Sequence, residues 1–449
     1  MAAALLAATT AASLPGAGGI DTASVATVAI GAPGGYAPAE RIDRQRRGQS
    51  TTALPAEPAE LWSVDLPAGL DYPPLVDARG ETLAVLTTPA ALKLGQEGRV
   101  IWQARLGEAP PAVAPALLSD GALAVLCRDG ELWKVRADGS VGFRAPLRTR
   151  TKGASAAPLA RDDGGVVVAA EKELIQLDAQ GGVQARTELG GRPVGGLLSW
   201  SDGTLATAAA GEVWLWRPPG RPRLLGELGG PAPEGGVLVG PRSLAAVVED
   251  RRLVVLDLRT GARRVLLDDP GMPRLLEGPP ALDYAGTLLL ATAQGELLGI
   301  DSRGTTVRQA ALENAHLFSG ADGGAALPAL FQRLPLRHGP PLVVDPEGRV
   351  GFVRTSGRVG VLASRAEGDV LRPSPHRSCN HPIAVVPAGP DRMLVACHGG
   401  RLIMYGAQGG SILPTSVGVN TQEPIMAMAT RIAWRLRERF APGARRRIP

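Results

Sequence analysis

An all-β fold is what this 449-residue sequence predicts, and three observations predict it. A unit of about forty residues recurs along the chain, the apolar runs inside each unit are only four to seven residues long, and Gly, Asp and Pro separate the runs. Runs of that length suit strands and are too short for helices. The separating residues supply the φ > 0 or fixed-φ positions that tight turns require.

The repeat is anchored three times per unit. Its first anchor is a turn, found at Ala78-Arg79-Gly80, Ser119-Asp120-Gly121, Asp162-Asp163-Gly164, Ser201-Asp202-Gly203, Gly240-Pro241-Arg242, Tyr284-Ala285-Gly286, Pro346-Glu347-Gly348 and Gly389-Pro390-Asp391. The last residues of these turns are 41, 43, 39, 39, 44, 62 and 43 apart. A second break precedes an apolar run, as in Gly130-Glu131-Leu132-Trp133 and Gly295-Glu296-Leu297-Leu298, and a third falls at Gly98, Gly139, Gly181, Gly220, Gly261, Gly304, Gly368 and Gly409. Each unit therefore reads as four antiparallel strands, A to D.

A four-stranded sheet of this size cannot bury both faces alone, so such units stack into a ring that shares its core and hides its sheet edges. The prediction is an eight-bladed β-propeller over residues 61–420, or seven blades if the irregular 62-residue unit is misread. Leu61-Trp62-Ser63-Val64-Asp65-Leu66 resembles the outer strand Val100–Leu106 but precedes the first complete unit. It is expected to complete the last blade and so fasten the two ends of the ring.

The flanks are read separately. Residues 1–19 are uncharged and rich in Ala and Leu, which suits the apolar part of an export signal or a disordered leader. Residues 20–60 read as a linker, which makes everything before about residue 55 dispensable for stability. The net charge of +5 is local. Residues 421–449 carry seven arginines against two glutamates, so the propeller is close to neutral and a nucleic-acid-binding face is not expected. Within that tail Ile425, Met428, Ile432, Leu436 and Phe440 recur at near-helical spacing among arginines. A short C-terminal helix is expected, either docked or solvated, or lying on a membrane surface or a partner through residues such as Trp434 and Arg435.

Candidate functional residues are few. The insertion at 313–341 is the largest irregularity of the repeat, and it offers His316, Phe318, Phe331, Arg333 and Arg337 as partner-binding candidates. The last blade gathers His376, Cys379, His381, Cys397 and His398. Pairing across its A–B turn sets His381 opposite Cys397 and places Cys379 diagonal to it. Three readings stay open: inert thiols, a Cys379–Cys397 disulfide if the chain is exported, or a Cys/His metal site of Cys379, His381, Cys397 and His398. Cys127 occupies the matching position of another unit, where small or apolar residues dominate, and is expected to be a buried thiol. Asp178, Asp257 and Asp301 follow strand C at corresponding sites and are expected to cap their own turns rather than to catalyse.

Segments such as Leu288–Asp301, Leu253–Gly261 and Gly98-Arg99-Val100-Ile101-Trp102 resemble the quinoprotein-type (PQQ-like) propeller repeat, which runs apolar strand, Gly-x-Leu-x-x-Leu-Asp, Thr-Gly, then a strand containing Trp. No Trp-Asp dipeptide occurs, which disfavours the WD40 type. The resemblance implies one of two functions. Quinoprotein alcohol dehydrogenases hold PQQ and Ca²⁺ at the centre of the ring, but they carry adjacent cysteines and a Trp in nearly every blade. This chain has no adjacent cysteines and outer-strand Trp only at Trp62 and Trp102. The non-enzymatic branch, which includes the scaffold subunit of the outer-membrane β-barrel assembly machinery, fits better, although the lipidated Cys of that subunit has no match here. The expectation is a monomeric, exported or periplasmic propeller that binds proteins, with no cofactor. A PQQ/Ca-dependent oxidoreductase, or a cytoplasmic location, is the alternative.

Overall fold

In a computed structural model of the full chain, the described residues are 35–148, 155–268, 276–293, 295–312, 341–354, 357–364, 371–373 and 381–407. They form eight blades of an all-β propeller. Blade 1 consists of Leu75–Val76, Thr82–Val85, Ala90–Leu94 and Val100–Arg105, hydrogen-bonded in that order as antiparallel neighbours. Blades 2 to 7 repeat this over residues 116–146, 159–188, 193–227, 236–268, 276–311 and 343–373. The long unit is a complete blade 6 followed by the insertion, so eight is the count.

Blade 8 takes Pro382–Pro387, Arg392–Cys397 and Arg401–Ala407 from the end of the described chain and its outer strand, Pro58–Asp65, from the beginning. Val64 pairs with Leu402 and Trp62 with Met404. The expected closure is therefore present. Blade 4 departs from the four-stranded pattern, because Ser155–Ala157 adds a fifth, parallel strand beside Pro193–Trp200.

The inner strands are buried on both faces, and their period-2 alternation sends successive residues to opposite neighbours. In blade 1, Leu83 and Val85 meet Leu123 and Val125 of blade 2, while Ala84 and Leu86 meet Leu394 and Ala396 of blade 8. Eight buried clusters result among the described residues, one between each pair of adjacent blades. Burial of a Leu-sized side chain stabilises by about 1.5–3 kcal/mol, so the ring is held mainly by its blade-to-blade cores.

The outer strands add a clasp from each of several blades to the next. Trp62 Nε1 donates to Gln96 O at 2.7 Å, and Trp102 Nε1 donates to Ala137 O at 2.9 Å. Each indole lies flat on the C–D turn glycine of the next blade. A methyl at Gly98 would sit 2.9 Å from Trp62, and one at Gly139 would sit 2.7 Å from Trp102. Where Trp is missing, a cation takes over the donor role. Lys134 Nζ reaches Ala179 O at 3.3 Å, Arg264 reaches Ser302 O, and Arg308 Nη2 reaches Ala363 O at 2.8 Å. The sparse Trp pattern thus leaves the clasp in place with different chemistry.

The turn carboxylates behave as expected. Asp178 accepts from the backbone of Gln180 and Gly182, Asp257 from Arg259 and Thr260, and Asp301 from Arg303 and Thr305. The backbone bond from Gly182 holds Asp178 below its ordinary carboxylate value, and that from Thr305 does the same for Asp301. The 1–19 leader, the candidates His316, Phe318, Phe331, Arg333 and Arg337, and the 421–449 tail with Trp434 and Arg435 lie outside the described residues.

Candidate functional site

The site with the most unusual chemistry is the hub of the ring, and the chain builds it from residues 35–54. From Gly35 onward this part of the 20–60 stretch is folded into the propeller rather than strung between parts. Its backbone visits the inner strands in blade order. Ala37 pairs with Val76 of blade 1, and Leu117 N–H of blade 2 donates to Pro38 O at 2.9 Å. Arg44 forms an ion pair with Asp162 of blade 3 at 2.5 Å. Backbone N–H groups of Ser199, Leu238, Leu282 and Val344, in blades 4 to 7, then donate to the carbonyls of Arg44, Gln45, Arg47 and Gly48. Asp391 N–H of blade 8 donates to Ala53 O at 2.9 Å, completing one circuit of the axis.

The physical reason is the condition of the inner edge. Strand A of each blade presents backbone donors and acceptors to the axis, and buried backbone groups need partners. A wound segment supplies them one at a time. The A–B turns hold its second half. Tyr284 Oη donates to Ser50 O, Gln49 Nε2 to Asp283 O, and Thr52 Oγ1 to Gly389 O. Leu54, wholly buried, donates its N–H to Asp345 Oδ2 at 2.9 Å, while its carbonyl accepts from Arg349 at 3.1 Å. Ile42 and Leu54 join the apolar core between blades 7 and 8.

The hub is also strongly charged. Arg41 and Arg46, only 5% and 2% exposed, point inward. Arg41 Nη2 donates to Pro280 O at 2.6 Å, and Arg46 Nη1 to Glu234 O at 2.8 Å. Arg46 pairs with Glu40 at 3.4 Å, and Arg47 with Asp43 at 2.7 Å. Burial raises the Glu40 carboxyl above its ordinary value, opposed by the Arg46 charge. Burial pushes the Arg41 guanidinium down to about 9, which still leaves it charged at neutral pH. Asp345, wholly buried, is pushed up to about 6 by burial against the pull of its two backbone donors. Arg41, Ile42 and Arg46 all have positive φ, at 62°, 78° and 59°, a conformation that β-branched Ile rarely adopts.

The segment leaves little room. A cleft against blades 2 to 4, bordered by Glu40, Arg44 and Arg46, has a free volume of about 20 Å³, enough for about one water. Another beside Arg41, Pro73, Pro74 and Leu342 holds about 10 Å³. PQQ and Ca²⁺, which the quinoprotein resemblance would place here, do not fit: the polypeptide takes the space, and Glu40 and Asp43 are committed to arginines. Among the described residues no three His, Cys, Asp or Glu side chains converge as a metal site.

The last-blade cluster differs from its expected register. Cys397 pairs with Pro382, not His381: the hairpin turns one residue later than the spacing suggests, with Pro387 opposite Met393, and a bulge between Pro382 and Ala384 then moves the pairing back by one residue. His381 has φ 56° and accepts the His398 N–H through its carbonyl. His398 Nδ1 sits 2.7 Å from Leu70 O and 3.3 Å from Asp71 Oδ1. Cys397 is buried and disulfide-bonded, so it offers no thiolate to a metal. Cys127 is a reduced, buried thiol, pushed up to about 12 by burial. Cys379 and His376 lie outside the described residues.

Comparison with known proteins agrees with this architecture. Residues 90–264 match the model of a PQQ-type family described as outer membrane protein assembly factor BamB. The chain's repeat is thus of the PQQ-like β-propeller kind. Among solved structures, a europium-containing methanol dehydrogenase superposes with a TM-score of 0.60 at 12% identity, covering 84% of this chain and 98% of its own. A quinohemoprotein alcohol dehydrogenase from Pseudomonas putida gives 0.58 at 11% identity, covering 86% and 82%. BamB from Moraxella catarrhalis gives 0.46 at 12% identity, covering 79% and 99%. At such identities the two dehydrogenase superpositions show a likeness of fold alone. No curated protein matches the chain.

Proposed function

We propose that this protein is a non-catalytic β-propeller that binds and scaffolds other proteins outside the cytoplasm. The observation that carries the reading is the filled hub. The place where a quinoprotein dehydrogenase would hold its cofactor is taken by residues 37–54, each blade contributing at least one bond to that segment. The match to the BamB-type family model supports a binding role. The disulfide at Cys397 supports an exported location, since such bonds persist in oxidising compartments. Its proposed partner is Cys379, the remaining cysteine of the sequence.

The test is to add PQQ with Ca²⁺ to the purified protein and look for a bound chromophore and for dye reduction with simple alcohols and aldoses. The reading predicts neither. Dye reduction that EDTA abolishes would overturn it.

A further inference from the structure

We propose that the hub is a receptor for a wound, turn-containing polypeptide segment, that residues 37–54 are its resident occupant, and that this occupant is exchangeable. The proposal rests on the non-catalytic reading above and adds the class of ligand.

Recognition in the hub is mostly through the backbone. Carbonyls of Pro38, Arg44, Gln45, Arg47, Gly48 and Ala53 each accept an N–H from a different blade. Backbone-directed recognition of a peptide segment tolerates many side chains and draws specificity from a few. Here those few are Arg41 on the Pro279 and Pro280 carbonyls, Arg46 on Glu234 O, Arg44 on Asp162, and Leu54 in its apolar seat.

The resident segment fits imperfectly. Three of its non-glycine residues take positive φ, and such outliers persist only where the surroundings force them. Arg41 Nε and Nη1, Arg44 Nε and Nη2, and Arg46 Nε are buried without hydrogen-bond partners. A buried donor left unpaired weakens the bound state. Covalent attachment through residues 55–57 to the closing strand compensates by holding the segment at high effective concentration. A peptide free of these strains would compete once that tether is cut or outmatched.

The experiment inserts a specific protease site after exposed Glu57 in the full chain, cuts it, and adds a fluorescent peptide of residues 35–57. The proposal predicts that the cut segment first co-elutes with the folded ring and is then replaced by the labelled peptide in a saturable manner. The Arg41→Ala peptide should bind about tenfold more weakly or worse, because it loses charge-assisted bonds to two carbonyls, and a scrambled peptide should not enter. Failure of the labelled peptide to enter a folded ring, equal entry of the scrambled peptide, or unfolding of the ring as the segment leaves would each overturn the proposal. None of these outcomes touches the non-catalytic reading, which fails instead on quinone-dependent activity of the uncut protein.

Discussion

The outer seam and the inner hub close the same ring by opposite means. At the seam, Pro58–Asp65 continues the repeat: it pairs along its length with Arg401–Ala407, and its Trp62 clasps the next blade as Trp102 does one blade later. At the hub, residues 37–54 repeat nothing and touch every blade through a few bonds, most of them to blades 6 and 7. A seam of this kind secures two neighbouring blades, whereas a wound segment couples all of them. Both would be lost together in a truncation at residue 68, so the comparison needs finer cuts.

The largest effect is expected from deleting residues 1–57, which keeps the closing strand and removes the hub segment. Burial of Ile42 and Leu54 alone is worth several kcal/mol, so the melting temperature should fall by about 10 °C or more. Deletion of residues 1–34 removes none of the described hub contacts and is the control. Equal melting of the two would restore the linker reading, under which the whole stretch is dispensable.

A single substitution sharpens the same point. Leu54→Ala should cost about 2–5 kcal/mol in denaturant unfolding, as for other fully buried leucines. A cost below 1 kcal/mol would mean that the segment is not seated as described.

Between blades, Arg308→Ala should cost about 1.5–3 kcal/mol, because a buried guanidinium bonded to the Gly348 and Ala363 carbonyls is lost. The clasp account also expects Gly139→Ala to destabilise by about 1–3 kcal/mol, through its φ of 86° and the indole of Trp102. Chemical denaturation of both variants checks the idea, and near-neutral values would make the clasps incidental.

Much of this was legible in the sequence. The eight units, the closing strand and the capping roles of Asp178, Asp257 and Asp301 all follow from features that recur, and recurrence averages out local ambiguity. The hub was not legible, because Glu40–Arg47 occurs once and its partners are scattered backbone groups that no side-chain pattern marks. Its one signal was four arginines and two acids within eight residues beside a glycine, which reads equally well as a solvated linker. Counting Trp residues missed the clasps made by Lys134, Arg264 and Arg308. The register at Cys397 was displaced because the hairpin turns one residue later than its spacing suggests, a shift that the bulge beyond Ala384 only half reverses.

A smaller, pH-dependent effect separates seam from hub. Asp345 titrates near 4 when unfolded and at about 6 in the folded ring. Between those values the folded state holds the extra proton, so this group's contribution is greatest at and below about pH 4 and is lost as the pH rises through 6. Asp345→Asn stays neutral throughout. Wild-type stability relative to that variant should therefore fall by on the order of 2 kcal/mol between pH 4 and 7, on top of a constant offset from the altered bond to Leu54. Parallel pH profiles would show that Asp345 is not buried against the segment.

The most direct measurement is hydrogen exchange of the 35–57 region in the native protein. Ala37, Ser50 and Leu54 donate their N–H groups to Val76, Val344 and Asp345, so these amides should exchange on the slow timescale of the inner blade strands. Exchange as fast as in an unstructured peptide would contradict the wound hub, and with it the reason for reading this propeller as a binding protein rather than an enzyme.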